Sequence, residues 1–214
     1  MIARPFFLFL LCLLLPVGVH AADAVPAKVS FQRDVMAVLS KAGCNLGTCH
    51  GNKHGKGGFK LSLRGQSPEQ DFLALTRDQS GRRVNPVNPE QSLILQKPSL
   101  NVAHEGGKRF VATYPEYEIL KRWIEDGLPF DAADASKLIE LKVAPREQIL
   151  FDPVDRIQLH VDAVFADGTT RDVTRLAVYE PAHPFVVAKA GGEVLREGFG
   201  ETTVIVRFLD HQVP

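Results

Sequence analysis

Hydrophobic residues in the first half of the chain recur at helical spacing. A first helix is predicted over residues 30–41, with Ser30 as its N-terminal cap and Gly43 at its end. A second is predicted over residues 67–76, and the clearest one over residues 115–127. The apolar face of this last helix consists of Tyr117, Leu120, Trp123 and Ile124.

From residue 138 onward the spacing changes from helical to alternating. Residues 138–143 and 203–208 are predicted strands, and between them an alternation of apolar and polar side chains runs from Ile157 to Phe165. The dipeptide Asp167-Gly168 is a strong hairpin-turn signal. Several short strands separated by turns indicate an antiparallel sandwich.

The length of the chain indicates how many domains to expect, and its charge indicates which partners to expect. The chain has 214 residues, which is typical of two domains, and 45% of them are hydrophobic, as expected for a protein that buries a core. Lys plus Arg and Asp plus Glu balance at 25 each. Without a basic excess, no nucleic-acid partner is expected.

The N-terminus has the organisation of a secretory signal peptide, predicted over residues 1–21. Arg4 supplies the positive charge, an apolar run covers residues 6–19, and cleavage is expected after Ala21. The run is shorter than a membrane-spanning helix requires, so no transmembrane span is expected after cleavage. We therefore expect a periplasmic, secreted or cell-surface protein.

Two cysteines remain after that cleavage, because Cys12 lies within the signal peptide. They belong to the segment CNLGTCHG, in which Cys44 and Cys49 are followed directly by His50. A pair of cysteines with a histidine immediately after the second is the attachment signal of c-type haem, although the usual spacing is two residues and here it is four. In such a site the two thiols bind the haem covalently and the histidine is an axial iron ligand.

The same residues also allow other interpretations. Cys44 and Cys49 could form a local disulfide, which an exported protein permits. They could be a reactive thiol pair or part of a zinc site, but zinc prefers four ligands and the sequence has no second Cys/His pair. From this motif alone, the haem and disulfide interpretations both remain open.

A family resemblance favours the haem. The segment from Ser30 to Pro129 resembles a c-type cytochrome domain found in secreted proteins of planctomycetes. The matching pieces are VSFQRDV, CNLGTCHG, GKGGFKLSLRG, TRDQSGRRVNP, AHEGGKRF and PEYEILKRWIEDG. The resemblance implies one covalent haem c on Cys44 and Cys49, with His50 as the proximal iron ligand and a last helix that packs against the first.

The second axial ligand is predicted to be His104. Met36 precedes the cysteine loop, whereas cytochromes that use methionine supply it from downstream. His54 follows His50 by only four residues, which is a short span for reaching the opposite face of a porphyrin. His104 lies far along the chain beside Gly106-Gly107, and it falls within the AHEGGKRF match. The alternative is a solvated loop histidine with an open sixth position.

The second half resembles a group 2 bacterial immunoglobulin-like domain, through QLHVDAVFADGTTRDVT and GETTVIVRF. The predicted fold is therefore multidomain: a mainly-α cytochrome c-like domain at residues 29–129, a linker at residues 130–137, and an all-β immunoglobulin-like sandwich at residues 138–214. Relatives with this arrangement usually continue into further domains, and any catalytic domain is expected beyond Pro214.

The predicted function is electron transfer through one haem c, with the β domain as a spacer or as a docking module at the cell surface. The partners are expected to be redox proteins, which the sequence does not identify. No Gly-x-Ser-x-Gly or His-Glu-x-x-His motif indicates an enzyme. The alternative is a non-haem adhesion or scaffold protein with a Cys44–Cys49 disulfide.

Overall fold

The computed structural model describes residues 25–131 and 135–214. The signal peptide predicted over residues 1–21 lies outside the described residues. Four α-helices are found in the first of these ranges: α1 (Met36–Lys41), α2 (Pro68–Thr76), α3 (Leu93–Gln96) and α4 (Pro115–Glu125). A π-helical turn, Phe31–Val35, leads directly into α1, and single 3-10 turns occur at Leu63–Gly65, Asp78–Gly81 and Pro89–Gln91.

The ends of these helices follow the local sequence. Ser30 caps the turn before α1, since its side chain accepts a hydrogen bond from the Arg33 N–H at 3.1 Å. Gly43, with φ +73°, follows α1 and redirects the chain into the cysteine loop. A proline at the first position opens both α2 and α4. The helices predicted over residues 67–76 and 115–127 are therefore present with shifts of a residue or two at their ends, whereas the one predicted over residues 30–41 is a π-helical turn followed by the short α1.

The first hydrophobic core joins the beginning and the end of this region. The buried Trp123 of α4 packs against Phe31 with 5.3 Å between ring centres, and its indole N–H donates to the Pro129 carbonyl at 3.0 Å. Phe72 of α2 meets Phe31 edge to face at 5.1 Å. The last helix of this region therefore packs against the turn that leads into the first. In the sequence, the cysteine loop lies between these two helices.

The second region contains nine strands: β1 (Leu138–Ala144), β2 (Arg156–Gln158), β3 (His160–Phe165), β4 (Thr170–Asp172), β5 (Val178–Pro181), β6 (Val186–Ala188), β7 (Glu193–Arg196), β8 (Val204–Phe208) and β9 (His211–Val213). They form three antiparallel sheets with the orders β1-β3-β4, β2-β7-β6 and β5-β8-β9. The hairpin predicted at Asp167-Gly168 joins β3 to β4, with Gly168 at φ +81°. The alternation from Ile157 to Phe165 is divided at Leu159, because β2 and β3 belong to different sheets.

The predicted fold class is wrong for both halves. Between residues 25 and 131 the longest helix has 11 residues, and the long segments 42–62 and 97–114 contain no helix, so this region is not a mainly-α cytochrome c-like domain. Between residues 135 and 214 the strands form three small sheets instead of the two facing sheets of an immunoglobulin-like sandwich. The strands have three to seven residues and pair in three groups of three, and periodicity alone does not reveal which strands pair.

Helix α1 contributes to both halves of the molecule. Ala37, only 1% exposed, belongs to the hydrophobic core of the strands, whereas its neighbours on α1 belong to the first core. Asp34 accepts a hydrogen bond from Arg171 of β4 at 2.6 Å, and the Lys41 ammonium donates to the Ala177 carbonyl at 2.7 Å. The second region therefore contacts both α1, which leads into the cysteine loop, and the π-helical turn before it.

Candidate functional site

Backbone hydrogen bonds fold the segment from Cys44 to Gly51 into a compact loop. The Cys44 N–H donates to the Leu39 carbonyl at 2.9 Å, which attaches the loop to the end of α1. The His50 N–H donates to the Cys44 carbonyl at 3.0 Å, and the Gly51 N–H donates to the Leu46 carbonyl at 3.0 Å. The two cysteines and the histidine are thus held on one tight turn.

Both cysteines are buried, at 8% exposure for Cys44 and 7% for Cys49, and both are free thiols. The pKa of the Cys44 thiol is raised to about 12, first by burial and then by the neighbouring Cys49, with Arg109 acting in the opposite direction. At neutral pH, Cys44 is therefore a protonated thiol in the folded chain without haem.

His50 is oriented by its own backbone surroundings. Its Nδ1 lies 3.0 Å from the Phe59 carbonyl oxygen, and because a carbonyl only accepts, Nδ1 carries the proton and Nε2 keeps its lone pair. The Phe59 ring packs against the imidazole with 4.6 Å between ring centres. Burial lowers the pKa of His50, and His104 adds to that effect, so the neutral form that a metal requires is favoured.

His104 is oriented in the same way from another loop. Its Nδ1 lies 2.9 Å from the Gly107 carbonyl oxygen, so Nδ1 is the donor of this hydrogen bond and Nε2 is the ring nitrogen outside it. A side chain at Gly106 would collide with this ring, since a Cβ there would lie 2.7 Å from Cε1 of His104 and 3.0 Å from its Nε2. Donation of one ring nitrogen to a backbone carbonyl is the usual support of a metal-binding histidine.

The imidazole rings of His50 and His104 lie near one another and are nearly parallel. Their ring centres are 6.5 Å apart and their planes differ by 11°. Metal–imidazole bonds are about 2 Å long and a ring centre lies about 1 Å behind its nitrogen, so two imidazoles on opposite sides of one metal ion have centres roughly 6 Å apart. The observed separation is close to that value.

The predicted site residues all line one cavity of about 680 Å³: Cys44, Cys49, His50 and His104. That volume is within the usual range of cofactor sites, about 300–1,000 Å³. Five basic side chains also line it, namely Lys56, Arg82, Arg83, Lys97 and Arg109, against a single carboxylate, Glu105. The wall is therefore suited to a ligand that has acidic groups.

The other two ligand candidates do not line this cavity. Met36 is buried in the first hydrophobic core, and a Cβ at Gly65 would lie 2.9 Å from its terminal methyl group. His54 is exposed, and its backbone N–H donates to the Asn52 side chain at 2.9 Å. Of the residues weighed for the sixth position, the structure brings only His104 beside His50.

Sequence reasoning did not identify Phe59 and Arg83 as site residues. Phe59 contacts the imidazole of His50 with its ring and accepts its hydrogen bond with its carbonyl. Arg83 is buried, and its guanidinium lies 4.4 Å from the centre of the Phe59 ring. An arginine pair, Arg82-Arg83, is visible in the sequence, but nothing in its local pattern shows which of the two is buried.

No known protein family matches this chain, and no curated protein matches it. The resemblance to planctomycete cytochromes therefore stays a prediction that the comparisons do not support.

Within residues 25–131 and 135–214, no group of three or more His, Cys, Asp and Glu side chains is arranged to hold a metal ion. His50 and His104 are a pair, which is the number of ligands that iron takes from the protein when a porphyrin supplies the other four.

None of the helices in the described part of the chain has the length and hydrophobicity to cross a bilayer.

Proposed function

We propose that this protein carries one covalent haem c on Cys44 and Cys49, with His50 and His104 as axial iron ligands, and that it transfers electrons. The observation that carries the proposal is the pair of nearly parallel imidazoles, 6.5 Å apart, in the cavity that both cysteines line. The haem would supply one-electron chemistry at iron.

The chain's own residues would hold and shield the group. Cys44 and Cys49 would each form a thioether bond, and because both thiols are buried, the attached edge of the ring would be kept away from water. The carbonyls of Phe59 and Gly107 hold the two imidazoles with Nε2 directed away from the hydrogen-bonded side. The basic side chains of the cavity wall would balance the negative charge of the propionates.

His50 and His104 would together leave no position on a bound haem iron for a substrate, so electron transfer is the function we infer. Attachment of haem c takes place outside the cytoplasmic membrane, which agrees with the predicted signal peptide. We therefore also propose a periplasmic, secreted or cell-surface protein that exchanges electrons with other redox proteins.

Haem staining of a denaturing gel tests the proposal, after expression together with the c-type maturation machinery. Covalent haem survives denaturation, so wild type should stain and should have the mass of the mature chain plus one haem. The double variant Cys44→Ala/Cys49→Ala should not stain. Met36→Leu is the matched control, because Met36 is buried outside the cavity, and it should stain like wild type.

An unstained wild type would refute the proposal. If its mass were two hydrogens below that of the dithiol form, the alternative function, an adhesion or scaffold protein with a Cys44–Cys49 disulfide, would be supported instead.

A further inference from the structure

Arg83 has surroundings unlike those of the other basic residues in the cavity wall. It is only 6% exposed, and its guanidinium donates three hydrogen bonds to backbone carbonyls: to Ala74 at 2.8 Å, to Asp78 at 3.1 Å and to Gly58 at 2.7 Å. These acceptors belong to α2, to the turn that follows it, and to the glycine-rich segment after the cysteine loop. Arg83 therefore ties the glycine-rich segment to the helical part of the region.

The segment that Arg83 holds is the one that orients His50. Gly58 immediately precedes Phe59, whose carbonyl accepts the His50 Nδ1–H at 3.0 Å. The ring of Phe59 contacts both groups, since its centre is 4.6 Å from the centre of the imidazole and 4.4 Å from the guanidinium carbon of Arg83. A cation over an aromatic ring is attractive, so Arg83, Phe59 and His50 form one continuous row of contacts.

We propose that Arg83 is a positioning residue for His50 and that its fixed positive charge raises the reduction potential of the iron that His50 binds. This inference rests on the proposed function. A cation near the iron disfavours the ferric state, which has one more positive charge than the ferrous state. Because Arg83 is buried, water and salt weaken this effect less than they would at the surface. Burial lowers the pKa of Arg83, but an arginine keeps its charge at neutral pH.

Arg82 is a matched control for the charge. It is the preceding residue, it has the same side chain and it lines the same cavity, but it is exposed. Solvent screens an exposed charge strongly. Changing either arginine to glutamine removes one positive charge from the same wall. The two positions differ in burial, in the contact with Phe59 and in the three backbone hydrogen bonds that Arg83 donates.

The first measurement is the midpoint potential of the haem-loaded protein, by spectroelectrochemical titration. We expect Arg83→Gln to have a lower potential than wild type, and Arg82→Gln to show a clearly smaller decrease. Arg83→Lys keeps the charge but not the set of three hydrogen bonds, so its potential should lie between those of wild type and Arg83→Gln. Equal shifts at the two positions, or no decrease in Arg83→Gln, would overturn the electrostatic role.

The second measurement needs no haem. In the haem-free protein, the Phe59 N–H donates to the Lys56 carbonyl at 3.0 Å and the Leu61 N–H donates to the His50 carbonyl at 2.8 Å. If Arg83 positions this segment, amide hydrogen exchange at Phe59 and Leu61 should be faster in both Arg83 variants and unchanged in Arg82→Gln. Circular dichroism should show that all variants remain folded. Unchanged exchange in folded Arg83 variants would overturn the positioning role.

The two proposals can fail separately. A wild type that does not stain for haem refutes the proposed function and with it the electrostatic role of Arg83, and the exchange data still decide the positioning role. A wild type that stains for haem, with no difference between the Arg82 and Arg83 variants, refutes only the inference about Arg83.

Discussion

Replacing Gly51 by alanine should disrupt the loop that presents the cysteines and His50. A Cβ at this position would lie 2.1 Å from the Asn45 carbonyl oxygen, 2.7 Å from its carbonyl carbon and 3.0 Å from the Leu46 carbonyl oxygen. Ordinary contacts between carbon and a carbonyl oxygen are about 3.3–3.6 Å, so the backbone would have to open by roughly 1 Å. Because the obstructing atoms are backbone atoms, no rotation of a side chain can relieve the collision.

The energetic cost follows from these contacts. Overpacking typically costs about 1–3 kcal/mol, and a rigid backbone obstruction belongs at the upper end of that range. Opening the loop would also weaken the Gly51 N–H bond to Leu46 and the His50 N–H bond to Cys44, each of which contributes about 1 kcal/mol. We expect the free energy of unfolding of the haem-free protein to fall by about 3–5 kcal/mol.

Gly47, in the same loop, is the matched control. A Cβ there would meet only the Leu63 side chain at 3.6 Å, which is an ordinary contact. Gly47→Ala should therefore leave stability unchanged or raise it by up to about 1 kcal/mol, because alanine has fewer conformations in the unfolded chain.

Urea denaturation followed by the fluorescence of Trp123 measures the difference, since Trp123 is the chain's one tryptophan and is buried in the first core. Haem staining gives a second measure, and Gly51→Ala should retain much less haem than Gly47→Ala. Equal stability and equal haem content in the two variants would refute this description of the loop.

Other contacts lead to further expectations for the same protein. Removing one partner of a buried ion pair costs about 3–5 kcal/mol, but in the pair of Arg171 with Asp34 the arginine side chain is 31% exposed. Arg171→Ala should therefore lower the free energy of unfolding by about 2 kcal/mol. An unchanged urea midpoint would contradict a stabilising ion pair with the buried Asp34. The raised pKa of Cys44 stabilises the haem-free fold below pH ~8.5, and this contribution should be lost as the pH rises towards 12, by at most about 1.4 kcal/mol per pH unit. The measurement is the difference in pH dependence between wild type and Cys44→Ala, which should vanish if the thiol is not buried. In the haem-loaded protein, His104→Ala should lose the low-spin EPR signal and Met36→Leu should keep it, and the reverse pattern would show that the axial assignment is wrong.

The sequence predicted the parts of the fold that depend on local pattern. The helix α4 has an apolar face, a proline at its start and a glycine after its end, and it occurs where these signals place it. The alternation from Ile157 to Phe165 also predicted strands, but not their division at Leu159. That division arises because β2 pairs with β7 and β3 pairs with β1, and the choice of partner strand depends on the whole chain.

The candidate site was predictable only in its chemistry. The types of Cys44, Cys49 and His50 left haem and a disulfide both open, the family resemblance favoured haem, and the glycines beside His104 indicated a close approach of the backbone. The structure adds that Gly106 makes room for the His104 ring itself, and that a carbonyl orients each imidazole. The role of Arg83 depends on three backbone carbonyls that come together only in the folded chain, so no local pattern could reveal it.

The position of α1 between the two cores has a consequence for the order of events during folding. Contacts of α1 and of the π-helical turn before it with the second region join residues that are far apart in sequence: 137 positions separate Asp34 from Arg171, and 136 separate Lys41 from Ala177. Contacts of such long range close large loops and tend to form late. Until they form, α1 and the adjacent Cys44 are less firmly held than in the finished fold, where the thiol is buried and protonated. We therefore expect a thiol reagent to reach Cys44 more readily before the second region docks onto the segment that contains α1 than afterwards.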